Sequence, residues 1–134
     1  MTYWKDSLLI GVPKIDDQHK KLISAIDGLM DACTKGQERD VIGKTLSFVC
    51  DYTKVHFADE EKLMAQYAYP NMAAHKRIHE QFIQTAGTLV DDFNKNGPSP
   101  ALVGKLNKAL VDWLILHINA EDKRVGVFVN SKGG

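Results

Sequence analysis

Histidine is the residue type in this sequence whose positions suggest chemistry. The chain has five histidines, and with two acidic residues they recur at helical spacing. His75 and His79 are four residues apart, as are His56 and Glu60, so a helix would place the Cβ atoms of each pair about 5–6 Å apart on one face. Imidazole and carboxylate groups sharing a face are candidate metal ligands.

The complete candidate set is larger than one zinc ion can use. A single histidine on an apolar face is commonly a hydrogen-bonded core residue, but five would need more polar partners than the inward-facing Ser, Thr and Asn residues supply. Two five- or six-coordinate ions that share carboxylates would use the whole set, and ligation without thiolate favours iron or manganese over a structural zinc. The candidates are His19, His56, Glu60, His75, His79, His117 and Asp122.

Two acidic residues raise questions of geometry. Asp122 follows His117 by five residues, which a regular helix does not align, so we expect the helix to end there and the backbone to relax. Glu61 follows Glu60 directly and faces another way on a regular helix. We therefore predict that Glu61 is a solvated surface residue.

Four apolar stripes at steps of three and four residues predict the helices that position these side chains. Caps, Gly and Pro mark their ends, and short connections favour antiparallel neighbours. The predicted fold is all-α, an antiparallel up-down-up-down four-helix bundle. In chain order the helices are predicted to begin near residues 16–17, 38–40, 71 and 100, and to end near 36, 67, 94 and 122.

The remaining segments are predicted to be irregular. The chain has 134 residues, of which 44% are hydrophobic and 25% charged, so we predict one domain spanning 1–134. Gly11 and Pro13 interrupt any early helix, which predicts an irregular N-terminal arm over 1–15. Residues 125–129 are expected to form an irregular cap, and 130–134 a frayed tail.

Charge and hydropathy limit the classes of partner. Seventeen Lys and Arg residues balance seventeen Asp and Glu residues, which argues against a nucleic-acid partner. No apolar run approaches the roughly 18 residues of a membrane span, and the N-terminus lacks a secretory pattern, so we expect a cytoplasmic protein without membrane insertion. Cys33 and Cys50 are expected to be free thiols. No exposed apolar stripe is evident, which favours a monomer.

Five spaced segments, covering nearly the whole chain from Trp4 onward, resemble the hemerythrin family. They are most similar to its single-domain bacteriohemerythrin members, and every candidate ligand falls within one of them. The segments are Ile15-Asp16-Asp17-Gln18-His19-Lys20, His56-Phe57-Ala58-Asp59-Glu60-Glu61, Tyr69-Pro70, His75-Lys76-Arg77-Ile78-His79-Glu80-Gln81-Phe82 and Trp113-Leu114-Ile115-Leu116-His117-Ile118-Asn119-Ala120-Glu121-Asp122.

The resemblance implies a cofactor of two non-haem iron ions (Fe²⁺/Fe³⁺) joined by an oxo or hydroxo bridge. It implies that His75, His79 and His117 hold one iron. The second iron would be held by His19 and His56 and would keep an open position for dioxygen. Glu60 and Asp122 would bridge the two. An apolar oxygen pocket is expected from side chains within one turn of these ligands, namely Phe57, Trp113, Leu114 and Ile118.

Three functions are compatible with such a centre. The favoured one is reversible dioxygen binding for storage, transport or delivery to an oxygen-consuming enzyme, by a protein that is not itself an enzyme. Oxygen or redox sensing is an alternative that would need a separate signalling protein. Reduction of peroxide or nitric oxide, or iron handling, is another, but the inward stripes show no titratable residue beyond the seven candidates.

Overall fold

Four long helices form the protein, which we describe from a computed structural model covering residues 4–132. Each helix packs against the next in the chain, and α4 returns to contact α1. The connections are residues 35–38, 67–71 and 97–99. Loops this short join helices that lie side by side and run in opposite directions. The predicted all-α up-down-up-down bundle is therefore confirmed. The helices are α1 (Pro13–Thr34), α2 (Arg39–Gln66), α3 (Met72–Asn96) and α4 (100–131).

The start of α1 differs from the prediction. The helix begins at Pro13. Backbone N–H groups in the first turn have no partner within the helix, so the N–H that proline lacks costs no hydrogen bond. Asp16 was predicted to begin the helix, but it lies inside the first turn. Its carboxylate accepts hydrogen bonds from the backbone N–H groups of Ile10 (2.8 Å) and Gly11 (3.2 Å). The acidic residue thus ties the arm to α1 instead of capping the helix.

The N-terminal arm is more ordered than predicted. Asp6–Leu8 forms a short 3₁₀ helix, and Leu8 and Ile10 are buried in the main hydrophobic core. The arm packs against the bundle because burial of these two apolar side chains is favourable. The first three residues of the predicted arm lie outside the described part of the chain.

The end of α4 also differs from the prediction. Residues 125–129, expected to form an irregular cap, belong to the helical stretch Lys123–Ser131. Val125 and Val129 are buried in a small cluster with Met64 and Tyr69. Tertiary packing therefore outweighs the β-propensity of these valines. The predicted frayed tail is helical through Ser131, and its last two residues lie outside the described range.

Within α4 the regular α-helical backbone is interrupted twice. Two π-helical stretches interrupt the α-helical ones, although the backbone at every junction stays in the right-handed helical region. The successive stretches of α4 are Pro100–Leu106 (α), Asn107–Asp112 (π), Trp113–His117 (α), Ile118–Asp122 (π) and Lys123–Ser131 (α).

In the described residues no helix is both long and apolar enough to span a membrane.

Gly126 allows the arm to approach α4, and its replacement tests this contact. A Cβ atom at Gly126 would overlap the carbonyl oxygen of Ile10. We expect Gly126→Ala to lower the free energy of unfolding by about 1–3 kcal/mol through overpacking, although alanine is the better helix former. Urea unfolding followed by circular dichroism measures the change.

The matched control is Gly28→Ala in α1. This glycine is exposed, and a Cβ atom there would meet nothing within 4 Å. The control should gain up to about 1 kcal/mol from helix propensity. Equal gains at both positions would show that the arm does not require the close contact.

Candidate metal centre

The seven candidate ligands meet at one place inside the bundle, with every helix contributing. Each side chain is almost completely enclosed, since no member has more than 4% of its surface exposed. Helical spacing within each element turns the residues inward, and the antiparallel arrangement brings the four inner faces together. The contributions are His19 from α1, His56 and Glu60 from α2, His75 and His79 from α3, and His117 and Asp122 from α4.

The donor atoms form two overlapping groups. In each group, one nitrogen or oxygen atom from every member lies within 4.8 Å of those from the others. The carboxylates of Glu60 and Asp122 belong to both groups, whereas each histidine belongs to one. The first group adds His75, His79 and His117, and the second adds His19 and His56.

Glu60 directs one oxygen toward each group. Its Oε1 accepts a hydrogen bond from Nε2 of His75 at 2.7 Å and lies 3.2 Å from Nε2 of His79. Its Oε2 faces the other way, 3.9 Å from Nε2 of His56 and 4.0 Å from Nε2 of His19. A carboxylate oriented in this way can bridge two cations.

Asp122 is oriented in the same manner. Its Oδ1 lies 3.2 Å from Nε2 of His75 and 3.1 Å from Nε2 of His117. Its Oδ2 lies 3.0 Å from Nε2 of His19. Each of the two carboxylates therefore directs one oxygen toward each group.

A π-helical turn aligns His117 with Asp122. The stretch Ile118–Asp122 is π-helical, and this winding forms hydrogen bonds between residues five apart, bringing such residues toward a common face. The expectation that the helix ends at Asp122 was wrong, because α4 continues through Ser131. The wider turn provides the alignment that an unravelled end was expected to provide.

Unpaired polar atoms show that this donor set fits metal ions. Among the described residues, seven buried side-chain atoms have no hydrogen-bond partner, and all belong to His19, His56, Glu60, His75 and Asp122. An unpaired buried polar atom costs about 1–3 kcal/mol, and five of the seven face one another and need a common partner. These five are Nε2 of His19, Nε2 of His56, Oε2 of Glu60 and both carboxylate oxygens of Asp122. Nε2 of His79 also lies only 3.3 Å from Nε2 of His117. Two cations would satisfy this convergence of nitrogen and oxygen donors.

The cluster contains buried carboxylates, and the pKa values of two of its imidazoles are shifted in opposite directions. Burial, followed by the neighbouring His19, lowers the pKa of His56 to about 4. Burial would lower the pKa of His75 too, but Asp122 and Glu60 beside it raise that pKa to about 9. A metal ion bound through His75 must therefore displace a proton.

The carboxylates remain ionised despite their burial. Burial alone would raise the pKa of Asp122, but the close imidazoles of His117, His19 and His75 hold that pKa well below its ordinary value. Contacts with His75 and His79 likewise lower the pKa of Glu60, against the effects of burial and of Asp122. The cluster thus keeps both oxygen donors in the form that binds cations.

Sequence reasoning missed the outer partners of two histidines. Glu61, predicted to be solvated, has a side chain only 25% exposed, and Nδ1 of His79 donates to its Oε2 at 3.0 Å. Nδ1 of His56 donates to Oε1 of Gln18 at 2.8 Å, and Nε2 of Gln18 donates to Oδ2 of Asp59 at 2.7 Å. These bonds fix the ring tautomers and leave the Nε2 atoms for a metal.

A signal for these partners existed in the sequence. Gln18 and Glu61 each adjoin a candidate ligand, His19 and Glu60, on the side of the helix that turns toward a neighbouring helix. Helical periodicity within one element does not report which side chain the neighbouring helix presents there. The prediction for Glu61 failed because His79 lies on α3, across the α2–α3 contact.

Aromatic rings cover the first group. The ring of Phe57 stacks on that of His79 with centroids 3.7 Å apart, and Trp113 stacks on His117 at 4.6 Å. Phe57 is buried and Trp113 partly buried. These two rings therefore restrain the imidazoles of His79 and His117.

Aliphatic residues of α4 adjoin α1. Leu114 lies with Ile23 and Ile26 around a gap of about 10 Å³, and Leu114 and Ile118 are buried. Such a gap is at the lower limit for holding one water molecule, and its lining is wholly apolar. Leu114 and Ile118 thus add buried apolar side chains on either side of His117 in the sequence of α4.

Comparison with known proteins identifies the family. A family model described as the hemerythrin HHE cation binding domain matches residues 10–127. The bacteriohemerythrin of Stenotrophomonas maltophilia (strain R551-3) is 38% identical over 120 residues, covering 90% of this chain and 76% of that protein. The myohemerythrin of Theromyzon tessulatum is 28% identical over 121 residues, covering 89% of this chain and 86% of that protein.

Structural comparison agrees with the sequence matches. A crystal structure of wild-type hemerythrin superimposes with a TM-score of 0.82 at 30% sequence identity, covering 96% of this chain and 97% of that one. The family model spans the region from the arm to the last helix, and it includes all seven clustered side chains. The chain belongs to the hemerythrin family.

Proposed function

We propose that the protein binds dioxygen reversibly at a pair of iron ions, for storage, transport or delivery. The observation that carries this proposal is the orientation of Glu60 and Asp122, each of which directs one oxygen toward each of two buried histidine groups. Similarity to proteins named bacteriohemerythrin and myohemerythrin supports iron and dioxygen as the metal and ligand.

The proposed ligand assignment follows the two groups. His75, His79 and His117 hold one iron, while His19 and His56 hold the other. Glu60 and Asp122 would bridge the ions, together with an oxo or hydroxo group. The second group offers one histidine fewer than the first, which would leave its ion room to take up dioxygen. When bound, such a pair supplies reversible two-electron chemistry toward dioxygen.

The apolar surroundings suit binding better than turnover. Phe57 and Trp113 hold two imidazoles by stacking, and Leu114 and Ile118 are buried in α4 close to His117 in the sequence. That all four line the oxygen pocket stays a prediction, and the support for it is that Phe57 also lies near His56 of the second group, with ring centroids 5.9 Å apart. Glu61 contacts Nδ1 of His79, which faces away from the converging Nε2 atoms. Among the described residues, Glu60 and Asp122 are the only acidic members of the two donor groups, whereas a reductase would need a further group there to supply protons.

Cycles of oxygenation test the proposed function. The iron-loaded, anaerobically reduced protein should develop a visible charge-transfer band on exposure to oxygen and lose it when oxygen is swept away. Because the donor side chains are almost completely buried, the cycle should repeat with little decay. An irreversible change to a stable diferric spectrum would contradict reversible carriage and favour sensing through a signalling partner, or redox catalysis.

Substitution of the carboxylates tests the ligand assignment. Glu60→Gln and Asp122→Asn preserve side-chain volume but remove the charge, so we expect bound iron to fall from two ions per chain to one or fewer. The matched control is Glu80→Gln, at an exposed glutamate of α3. Iron analysis and circular dichroism would be measured together. Two coupled irons in both folded bridging variants would refute the assignment.

Glu61 offers a test of the outer hydrogen bond. A carboxylate that accepts from Nδ1 of His79 makes the imidazole a stronger donor and stabilises the ferric state. We expect Glu61→Gln to retain both irons but raise the midpoint potential by tens of millivolts, on the order of 1 kcal/mol. Spectroelectrochemistry, with Glu80→Gln as the control, measures it. An unchanged potential would mean that Glu61 does not tune His79.

A further inference from the structure

The solvent-facing side of α2 carries an apolar row without a partner. Val41, Phe48 and Val55 are 44%, 54% and 53% exposed, and they make up half of the large exposed apolar side chains in the described residues. The ring of Tyr52 stacks on Phe48 with centroids 5.8 Å apart. The expectation that no apolar stripe is exposed was therefore wrong. We call Val41, Lys44, Phe48, Asp51, Tyr52 and Val55 the α2 face.

The spacing of the row makes it one continuous surface. Its three members are seven residues apart, which is close to two helical turns, so they lie almost along a line on the helix. The row is about 21 Å long at the helical rise. It lies opposite the inward face of α2, which carries His56 and Glu60. The α2 face is therefore separate from the metal centre.

The pattern on the α2 face is the same when read from either end. Val41 and Val55 lie at equal distances on the two sides of Phe48. A second α2 helix placed antiparallel, with a two-fold axis beside Phe48, brings each Val41 against the partner's Val55. The same operation brings the two Phe48 rings together. A two-fold contact requires such self-complementarity, whereas an unrelated partner does not.

The charges flanking the row obey the same symmetry. Lys44 lies four residues before Phe48 and Asp51 three residues after it, on the same side of the row, and both are exposed. The two-fold operation places each Lys44 beside the partner's Asp51. Both residues and Phe48 also line a groove of about 610 Å³ between α2 and α3, which offers space for a partner's side chain.

We infer that the α2 face is the contact through which two copies of this chain form a symmetric antiparallel dimer. Two apolar rows of this length make a small interface, so association is weak and depends on concentration. Dimer formation covers Phe48 and pairs two lysines with two aspartates. The inference does not depend on iron or dioxygen, because the metal centre lies on the opposite side of α2.

Sedimentation equilibrium of the full chain over a wide concentration range tests the contact. The weight-average mass should rise from 15.0 kDa toward twice that value as concentration increases. Phe48→Glu should abolish the rise, because it buries two like charges at the axis. Val127→Glu, at an exposed apolar residue of α4, is the matched control and should leave the rise unchanged.

A charge exchange tests the antiparallel register. Lys44→Asp or Asp51→Lys alone should weaken association about 2- to 30-fold, since each removes two exposed ion pairs. The double variant should restore the original affinity. A constant mass of 15.0 kDa at every concentration would overturn the inference and leave the face to another protein. A dimer that persists in Phe48→Glu would overturn it as well.

Discussion

The bundle depends on the neutralisation of two buried anions. Glu60 and Asp122 have no exposed surface and remain ionised, a state that is very costly without compensating charge or metal. The compensating imidazoles come from all four helices, so no pair of helices can bury these carboxylates alone. This requirement explains a polar centre inside an otherwise apolar core. The donor set is complete only when the inward faces of all four helices meet.

Local irregularity in α4 serves the same requirement. A regular α-helix would turn Asp122 away from His117, and the π-helical stretch Ile118–Asp122 brings them to 3.1 Å. Such turns are rare because their backbone geometry is unfavourable, and they recur at functional sites. Trp113 begins the short α-helical stretch between the two π-helical ones, and its ring stacks on His117. Packing and donor geometry together hold the helix in a winding that it would not adopt alone.

Much of this architecture could be predicted from the sequence, and the failures share a physical cause. Apolar periodicity located four helices because burial repeats with the helical turn, and the same stripes carried the seven residues that the fold brings together. It could not locate the π-helical turns, since winding depends on tertiary contacts. Nor could it reveal the hydrogen bonds from the arm to Asp16 and from His79 to Glu61. Both contacts join elements whose spacing is set only in the assembled bundle.

The position of Asp122 in the chain affects how the centre comes into being. Its carboxylate belongs to both donor groups, and it lies on the fourth of the bundle's helices in chain order. A nascent chain that stops short of this residue holds neither group complete, whichever helices have already paired. The two cation positions therefore become available together, once the chain extends past Asp122, and no shorter length of chain presents a finished half of the centre.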